Sequence, residues 1–438
     1  MPWFQSKFPI STAEKVSVER HLDWWIGHFG QDRLFDFTPI DLRSFEHLDT
    51  RLDEFDQLQQ LVEFVAEYLP SIDNINFQIV DLETPFPEAT GKPAPFILRE
   101  QLANIEETVS QIAVSLMSIY LSNLEEDSDV AWTDWMPELA AALCGFGVAQ
   151  ANSSMSIESM SFGEWSYTKQ IRYRLVPARI FGVILAYVAW LTELEKPRWS
   201  LQLRPDALTP FKSALQYLRK TADSTLVVNG ERRIFDNPKN DQLLSQFQGE
   251  TETVRLAIAQ ELFKNISMDA GGASLQSSSL SPLLIDASDD IRSFACACIE
   301  GLESISTREL GLIADLTTDK NSNIRSQAIL AIAKHAPPGG PDQFNIRRHL
   351  QDSSQQVVDA AVYAASRLQI QDNRILDQLS RTLQRALNQS PFPSLVATCR
   401  ALEAITGDAA SLIQDLVDAD QIHEALDALR VARNETPQ

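Results

Sequence analysis

The chain has 438 residues, of which 44% are hydrophobic and 22% are charged, so it is long enough to form more than one buried core. It contains only 16 glycines, and because glycine destabilises a helix interior by about 1 kcal/mol, this composition favours helices over turn-rich β structure. The formal charge is −23. This charge argues against a protein that binds nucleic acid or an anionic membrane, since clustered cations recognise both surfaces.

The start of the chain lacks the basic stretch followed by an apolar stretch that is typical of a secretory signal. The longest apolar run, residues 180–191, is shorter than the about 20 residues that a transmembrane helix needs, and it predicts a buried helix. The four cysteines, at positions 144, 296, 298 and 399, form no CxxC pair and lack zinc-site spacing. We therefore expect a cytoplasmic protein without a metal ion or cofactor.

Residues 1–222 contain no internal repeat. Apolar residues recur at helical spacing in six segments: 13–29, 52–68, 98–124, 137–150, 178–194 and 205–219. Residues 76–80 and 225–228 approach the alternation of strands, and Asn229-Gly230 is typical of a hairpin turn. These patterns predict an α+β domain in which helices dominate.

Four segments of this half carry a family resemblance. They are Leu98-Arg99-Glu100-Gln101-Leu102-Ala103, Glu107-Thr108-Val109-Ser110-Gln111-Ile112-Ala113-Val114-Ser115-Leu116-Met117-Ser118, Gly145-Phe146-Gly147-Val148-Ala149-Gln150-Ala151-Asn152, and residues 191–203 with Lys196-Pro197-Arg198-Trp199. Together they resemble part of a bacterial metallopeptidase-like domain. The resemblance implies the fold of that domain for this half of the chain.

In that family the residues after Ile112-Ala113 carry HExxH, in which two histidines bind zinc and the glutamate activates water. The corresponding positions in this chain are Val114, Ser115 and Ser118. None of these side chains supplies the missing zinc ligands or the general base. The resemblance therefore implies a degenerate domain without a metal site or catalysis.

No other catalytic pattern replaces the missing motif. GxxxxGK[ST], GxGxxG and GxSxG are absent, so nothing indicates nucleotide, dinucleotide or α/β-hydrolase chemistry. His21 and His28 lie on one face of a predicted helix with two tryptophans between them, and a metal site there would also need Asp23 or Asp32. The surface of an amphipathic helix with aromatic anchors explains the same pattern, and it is the interpretation we prefer.

Residues 223–245 are predicted to link two domains. The stretch Phe235-Asp236-Asn237-Pro238-Lys239-Asn240-Asp241 is polar and rich in residues that end helices. Exposed polar linkers are also preferred sites of proteolysis. We therefore expect two separable domains, residues 1–222 and residues 246–438.

The second domain contains an internal repeat. Residues 283–295, 316–328 and 350–361 share an aspartate, a polar stretch and an apolar anchor residue at the start of a helical pattern. The anchor residues Ile291, Ile324 and Val357 recur at an interval of 33 residues. Weaker copies centre on Val254-Arg255 and on Leu395. Each unit predicts two helices joined by a polar turn, and the units must stack because one hairpin cannot bury its apolar face alone.

This pattern resembles the HEAT-repeat family, in which the turn aspartate and the arginine after the anchor residue form a ladder of ion pairs. The resemblance assigns these roles to two aspartates and two arginines: Asp286, Arg292, Asp319 and Arg325. We expect the two arginines to hold adjacent turns together through the two aspartates. In the third unit Asp352 keeps the acid, but Val358 takes the place of the arginine, so we expect the ladder to break there.

The sequence predicts a mostly α protein: an α+β amino-terminal domain followed by a short right-handed HEAT-like α-solenoid. The expected function is non-catalytic protein binding or scaffolding, with another protein as partner and no role for nucleic acid or a membrane. Two alternatives stay open. One is an enzyme with an unfamiliar site in the first domain, and the other is a repeat-built modifying protein similar to the lyases that attach bilins.

Overall fold

The chain folds into two compact units, which span Met1–Asp236 and Asn237–Gln438. This computed structural model describes residues 7–35, 37–40, 53–70, 77–80, 95–124, 134–162, 165–172, 175–221, 223–226, 239–268, 280–337, 346–370, 372–389, 392–417 and 421–434. Most of these residues lie in helices, so the prediction of a mostly helical chain is confirmed.

The described part of the first unit is built mainly from helices. They are α1 (Thr12–Phe29), α2 (Asp32–Phe35), α3 (Glu54–Tyr68), α4 (Ile105–Leu124), α5 (Met136–Ala141), α6 (Gly147–Ser153), α7 (Ala178–Leu191) and α8 (Pro205–Thr221), with shorter 3-10 turns at Arg99–Ala103 and Arg198–Gln202. Each of the six segments predicted to be helical contains at least one of these helices. The sequence pattern therefore placed the helices well but not their ends.

The predicted helix over residues 137–150 is interrupted by a π-helical turn at Ala142–Phe146. Gly145 in this turn has a φ of 106°, which favours glycine because it has no Cβ. Its carbonyl accepts a hydrogen bond from Ile40 N at 3.1 Å, and a Cβ built on it would lie 3.0 Å from the carbonyl oxygen of Thr38. The interruption thus lets a distant chain segment approach the helix backbone.

Two short pairs of strands accompany these helices. Strand β1 (Gln78–Val80) pairs in parallel with β2 (Phe96–Leu98), and β3 (Met155–Phe162) pairs antiparallel with β4 (Trp165–Arg172). Strand β1 lies in the segment whose alternation indicated a strand. Neither β3 nor β4 was predicted. Strand β3 consists mainly of methionine and serine rather than β-branched or aromatic residues, whereas Trp165, Tyr167 and Ile171 of β4 do alternate as in a strand.

The strand predicted at residues 225–228 does not form in its described part, because residues 224–226 make a bend. The rest of that segment and the Asn229-Gly230 turn lie outside the described residues.

Helix α7 lies at the centre of the core of the first unit, and its residues from Ile180 to Ala189 are almost completely buried. A side chain at Gly182 would collide with the carbonyl oxygen of Ala207 in α8. Glycine therefore allows these two helices to approach closely. The longest apolar run thus forms a buried helix as predicted. Within the described ranges, no helix combines the length and the hydropathy that crossing a membrane requires.

A buried cluster of charged and hydroxyl groups connects α1 to the segment that follows α8. Lys15 Nζ lies 2.9 Å from Asp223 Oδ2 and 3.9 Å from Glu19 Oε1. Glu19 Oε2 accepts hydrogen bonds from Thr225 N at 2.9 Å and from Thr225 Oγ1 at 2.6 Å, and Glu19 Oε1 accepts one from the hydroxyl of Tyr187. Buried charges are stable only when they are paired and hydrogen-bonded. The cluster therefore fixes this segment against α1.

The border between the units lies within the predicted linker, but both ends of that linker are folded. Residues 223–226 are buried in the first unit. Helix α9 (Asn240–Phe247) belongs to the second unit and buries Leu243 and Phe247. Residues 227–238 lie outside the described residues. The amino-acid composition of residues 223–226 could not show that they are buried. Their partners Lys15 and Glu19 lie on α1, far away in the sequence.

The remaining helices all belong to the second unit. They are α10 (Glu252–Met268), α11 (Ser281–Leu284), α12 (Asp289–Gly301), α13 (Thr307–Leu316), α14 (Ser322–His335), α15 (Ile346–His349), α16 (Gln355–Leu368), α17 (Asn373–Gln389), α18 (Phe392–Thr406), α19 (Ala409–Leu416) and α20 (Ile422–Asn434). Helices α10, α12, α14, α16, α18 and α20 form one layer, in which each helix packs on the next. Helices α11, α13, α15, α17 and α19 each pack on the helix that follows in the chain.

The anchor residues of the sequence repeat lie inside this packing. Ile291, Ile324 and Val357 are fully buried, and so are the alanines one helical turn later, Ala295, Ala328 and Ala361. Small side chains at these positions let neighbouring helices of the layer approach closely. Helices α12, α14 and α16 thus bury equivalent residues, and these residues recur at the interval of the sequence repeat.

The buried cluster on α1 predicts a large cost for removing its lysine. We expect Lys15→Ala to lower the free energy of unfolding of the first unit by about 3–5 kcal/mol, because two carboxylates would stay buried without their cation. Urea unfolding followed by tryptophan fluorescence measures this unit alone, since all eight tryptophans precede residue 200. Lys7→Ala, at an exposed position, is the control. Equal midpoints for the two variants would show that the cluster does not hold the unit together.

Candidate functional site

Three turns of the second unit share one geometry. They join α11 to α12, α13 to α14, and α15 to α16, and each contains an aspartate that bonds the backbone two residues later. Asp286 Oδ1 accepts from Ser288 N at 2.8 Å, Asp319 Oδ1 from Asn321 N at 2.8 Å, and Asp352 Oδ1 from Ser354 N at 2.9 Å. This side-chain bond stabilises the turn, and it positions one carboxylate in the same way in each unit.

Each of these aspartates binds an arginine from the unit before it. The distances from arginine Nε to aspartate Oδ2 are 2.8 Å for Arg255–Asp286, 3.0 Å for Arg292–Asp319 and 3.0 Å for Arg325–Asp352. The Nη2 atoms contact the same carboxylates at 3.2, 2.8 and 2.7 Å. Two N–H groups on one carboxylate make a charge-assisted contact with a defined orientation. We call these three pairs the ion-pair ladder.

The third nitrogen of each guanidinium binds the backbone of its own unit. Arg255 Nη1 donates to Glu250 O at 2.7 Å, Arg292 Nη1 to Asp286 O at 2.7 Å, and Arg325 Nη1 to Asp319 O at 2.9 Å. One side chain therefore satisfies a carbonyl in its own turn and a carboxylate in the next turn. The position of each turn depends on that of its neighbour.

All four residues assigned from the sequence lie in the ladder, but their pairing differs from the one expected. Arg292 joins adjacent turns through Asp319, whereas the carboxylate of Asp286 binds Arg255 from the weaker repeat copy. The expected break at Asp352 was wrong, because Arg325 extends forward to that carboxylate. Each ladder arginine lies at the start of a helix and binds the aspartate of the following turn. Because position 358 is a valine, no arginine extends from the third unit to the next one. The ladder therefore ends after Asp352, one unit later than expected.

The ladder is shielded from solvent. The side chains of Arg292 and Asp319 are 11% and 9% exposed, and those of Arg325 and Asp352 are 15% and 14% exposed. Burial alone would raise the pKa of Asp352, but hydrogen bonds from Arg325 and from a backbone N–H outweigh it and lower this pKa. Burial alone would lower the pKa of Arg292, but hydrogen bonds to Asp289 and Asp319 raise it. Both side chains therefore stay charged at neutral pH.

A second row of hydrogen bonds crosses the starts of α12, α14 and α16. Asn323 Nδ2 donates to Ser293 Oγ at 3.0 Å, and Gln356 Nε2 donates to Asn323 Oδ1 at 3.0 Å. Ser293 Oγ donates in turn to Gln327 Oε1 at 2.7 Å. This row was not predicted. Its signal was present, because Asn323 and Gln356 both directly precede an anchor residue.

The positions that correspond to HExxH lie on α4 and bond within that helix. Ser118 Oγ donates to Val114 O at 2.9 Å, and Ser115 Oγ accepts from Gln111 Nε2 at 3.5 Å. Among the residues that the structure describes, no group of three or more His, Cys, Asp or Glu side chains could hold a metal ion. The arrangement at these three positions is that of a packed helix.

His21 and His28 lie on α1, and each has its own partner. His21 is buried, and its Nδ1 lies 2.6 Å from Ser17 O one turn earlier. His28 stacks on Trp24 with ring centroids 5.0 Å apart, and its Nε2 lies 3.1 Å from the hydroxyl of Tyr120. Burial lowers the pKa of both imidazoles. His21 therefore lies in the core and not on the helix surface that the sequence suggested, whereas His28 belongs to an exposed aromatic contact.

Models of known protein families give no match to this chain, and a comparison with curated proteins gives no significantly similar relative. The resemblance to HEAT repeats therefore stays a prediction from the sequence repeat.

The ladder predicts that its arginines stabilise the second unit. We expect Arg325→Ala to lower the free energy of unfolding by about 1–3 kcal/mol, between the ~0–1 kcal/mol of exposed pairs and the ~3–5 kcal/mol of fully buried ones. Arg381→Ala, on the exposed side of α17, is the matched control and should change little. Circular dichroism during urea unfolding follows both units, whereas tryptophan fluorescence follows the first and should not shift. Equal small effects of the two substitutions would mean that the ladder contributes no stability.

The lowered pKa of Asp352 predicts a pH dependence of the Arg325 contribution. Because the folded pKa lies below the unfolded value of about 3.9, the pair stabilises the fold above that value and loses this effect as the pH falls through the folded pKa. The difference in urea midpoint between the unsubstituted chain and Arg325→Gln should therefore shrink on acidification from neutral pH to below about pH 4. A difference that stays constant over this range would contradict the assignment.

Proposed function

We propose that this chain is a non-catalytic protein-binding scaffold. In this proposal the second unit is a short right-handed HEAT-like α-solenoid, and the first is an α+β metallopeptidase-like domain without its metal site. The ion-pair ladder is the observation that carries the proposal. It repeats at the interval of the sequence repeat and connects each turn with the next, as expected of stacked hairpins.

A stack held in this way is suited to binding rather than to chemistry. Each hairpin contacts only its neighbours, so the stack presents a long row of equivalent helix surfaces. Such surfaces bind extended or helical segments of other proteins through many small contacts. The proposed partner is therefore another protein, and neither nucleic acid nor a membrane has a part in the proposal, because the chain carries a formal charge of −23.

The four cysteine thiols are consistent with the proposed non-catalytic role. Burial raises the pKa of Cys144 to about 11 and the pKa values of Cys296, Cys298 and Cys399 to about 12. Thiols with such pKa values stay protonated at neutral pH and are poor nucleophiles. Free buried thiols also suit a reducing compartment such as the cytoplasm, which is the location we propose.

The proposed function can be tested by disrupting the stack without touching the first unit. Ile324→Asp places a carboxylate at a fully buried anchor position, so it should unfold the middle of the second unit while tryptophan fluorescence stays unchanged. Ile285→Asp makes the same substitution at a residue that is 70% exposed and is the matched control. Immobilised full-length chain should retain a specific protein from an extract of its own cells. Ile285→Asp should retain it too, whereas Ile324→Asp should lose it.

Two outcomes would contradict this function. Retention of the same proteins by Ile324→Asp would show that the repeats do not bind them. Elemental analysis that finds about one zinc per chain, lost in His21→Ala or His28→Ala together with a hydrolytic activity, would identify an enzyme instead.

A further inference from the structure

Helix α17 carries a stripe of three exposed arginines on an otherwise acidic chain. Arg374, Arg381 and Arg385 are all exposed. At about 100° per residue they lie within about 40° of one another around the helix, and at about 1.5 Å per residue they span about 16 Å along it. The opposite side of α17 is buried through Leu379 and Leu383. The stripe therefore faces away from the core of the second unit.

The surroundings of these arginines differ from those of the ladder arginines. Within the described part of the chain, none of the three forms an ion pair, although Asp377 lies on the same exposed side of the helix. The ladder arginines differ in this respect, because each of them binds a carboxylate and a carbonyl.

A further exposed arginine lies on the neighbouring helix α15. Helix α15 packs against α17, and Gln351, just after α15, donates from Nε2 to Gln378 Oε1 of α17 at 2.8 Å. Arg347 of α15 is exposed and makes no ion pair with the described residues. We call Arg347, Arg374, Arg381 and Arg385 the arginine patch. Its residues lie on the first helices of two successive repeat units.

We propose that the arginine patch is a docking site for an acidic segment of a partner protein. Guanidinium groups bind carboxylates through paired N–H groups, and the spacing along α17 matches carboxylates on one face of a helix of similar length. This inference rests on the proposed function, because it names the class of segment that the repeats bind. It adds a location and a charge that the scaffold role alone does not specify.

Nucleic acid and anionic membranes fit the patch less well. Nucleic-acid binding gains affinity from several neutralised phosphates along an extended track, and this patch is short on a chain whose formal charge is −23. A membrane surface would repel most of the molecule for the same reason. A short acidic peptide segment contacts only the patch, so the charge of the rest of the chain matters less beyond a Debye length of about 10 Å.

The test measures binding of a defined acidic peptide to the full-length chain by fluorescence anisotropy. The probe is a fluorescein-labelled alanine–glutamate helix of about 18 residues, about 27 Å long, with glutamates spaced as the arginines of α17 are. The same peptide with glutamines is its control. We expect saturable binding of the glutamate peptide that weakens with added salt. The triple variant Arg374→Gln, Arg381→Gln, Arg385→Gln should bind at least about tenfold more weakly, because it loses three charge pairs.

A second triple variant removes the same charge elsewhere. Lys212→Gln, Lys220→Gln and Arg308→Gln change exposed residues and should leave the affinity nearly unchanged. Equal losses in the two triple variants would overturn the proposal, since only the overall charge would then matter. Absence of peptide binding, tighter binding of duplex DNA or of phosphatidylserine vesicles, or a self-association that the α17 variant abolishes would overturn it as well.

These outcomes are separable from failure of the scaffold function. If the α17 variant still retains the cellular protein that Ile324→Asp loses, the repeats bind a partner through another surface, and only the arginine patch assignment is wrong.

Discussion

The second unit depends on guanidinium groups shared between neighbouring turns. Arg292 donates to the carbonyl of Asp286 behind it and binds the carboxylate of Asp319 ahead of it, and Arg325 does the same one unit later. A single hairpin would leave one of these contacts unmade and a charge without a partner. The stability of each turn therefore depends on its neighbour.

The first unit uses buried charge in a different way. Its cluster around Lys15 and Glu19 occurs once and joins residues that are far apart in sequence. The ladder instead joins residues one repeat apart, and it is only partly shielded. A single buried cluster makes one closed core cooperative, whereas a repeated pair connects an open series of units. A destabilising substitution is thus expected to affect the whole core of the first unit, but mainly the neighbouring turns of the second.

The same contrast separates the two kinds of arginine in the second unit. Ladder arginines have carboxylate and carbonyl partners and hold the turns in place, while the arginine patch of α15 and α17 faces solvent without an ion-pair partner among the described residues. A rigid stack lets such side chains keep a constant spacing, which a flexible segment could not. In the proposed scaffold the residues that would bind a partner are therefore different from those that hold the turns together.

The sequence by itself determined the repeat interval, the approximate positions of most helices of the first unit and four of the six ladder residues, because apolar periodicity and turn aspartates are local signals. It also indicated α7 as a buried helix. Only the tertiary structure decided that Arg325 pairs forward with Asp352, that Arg255 belongs to the ladder, and that residues 223–226 are buried against α1. Each of these depends on which distant groups meet in space. The sequence pattern indicates which charged residues form ion pairs, but the packing of the helices determines which residue each of them contacts.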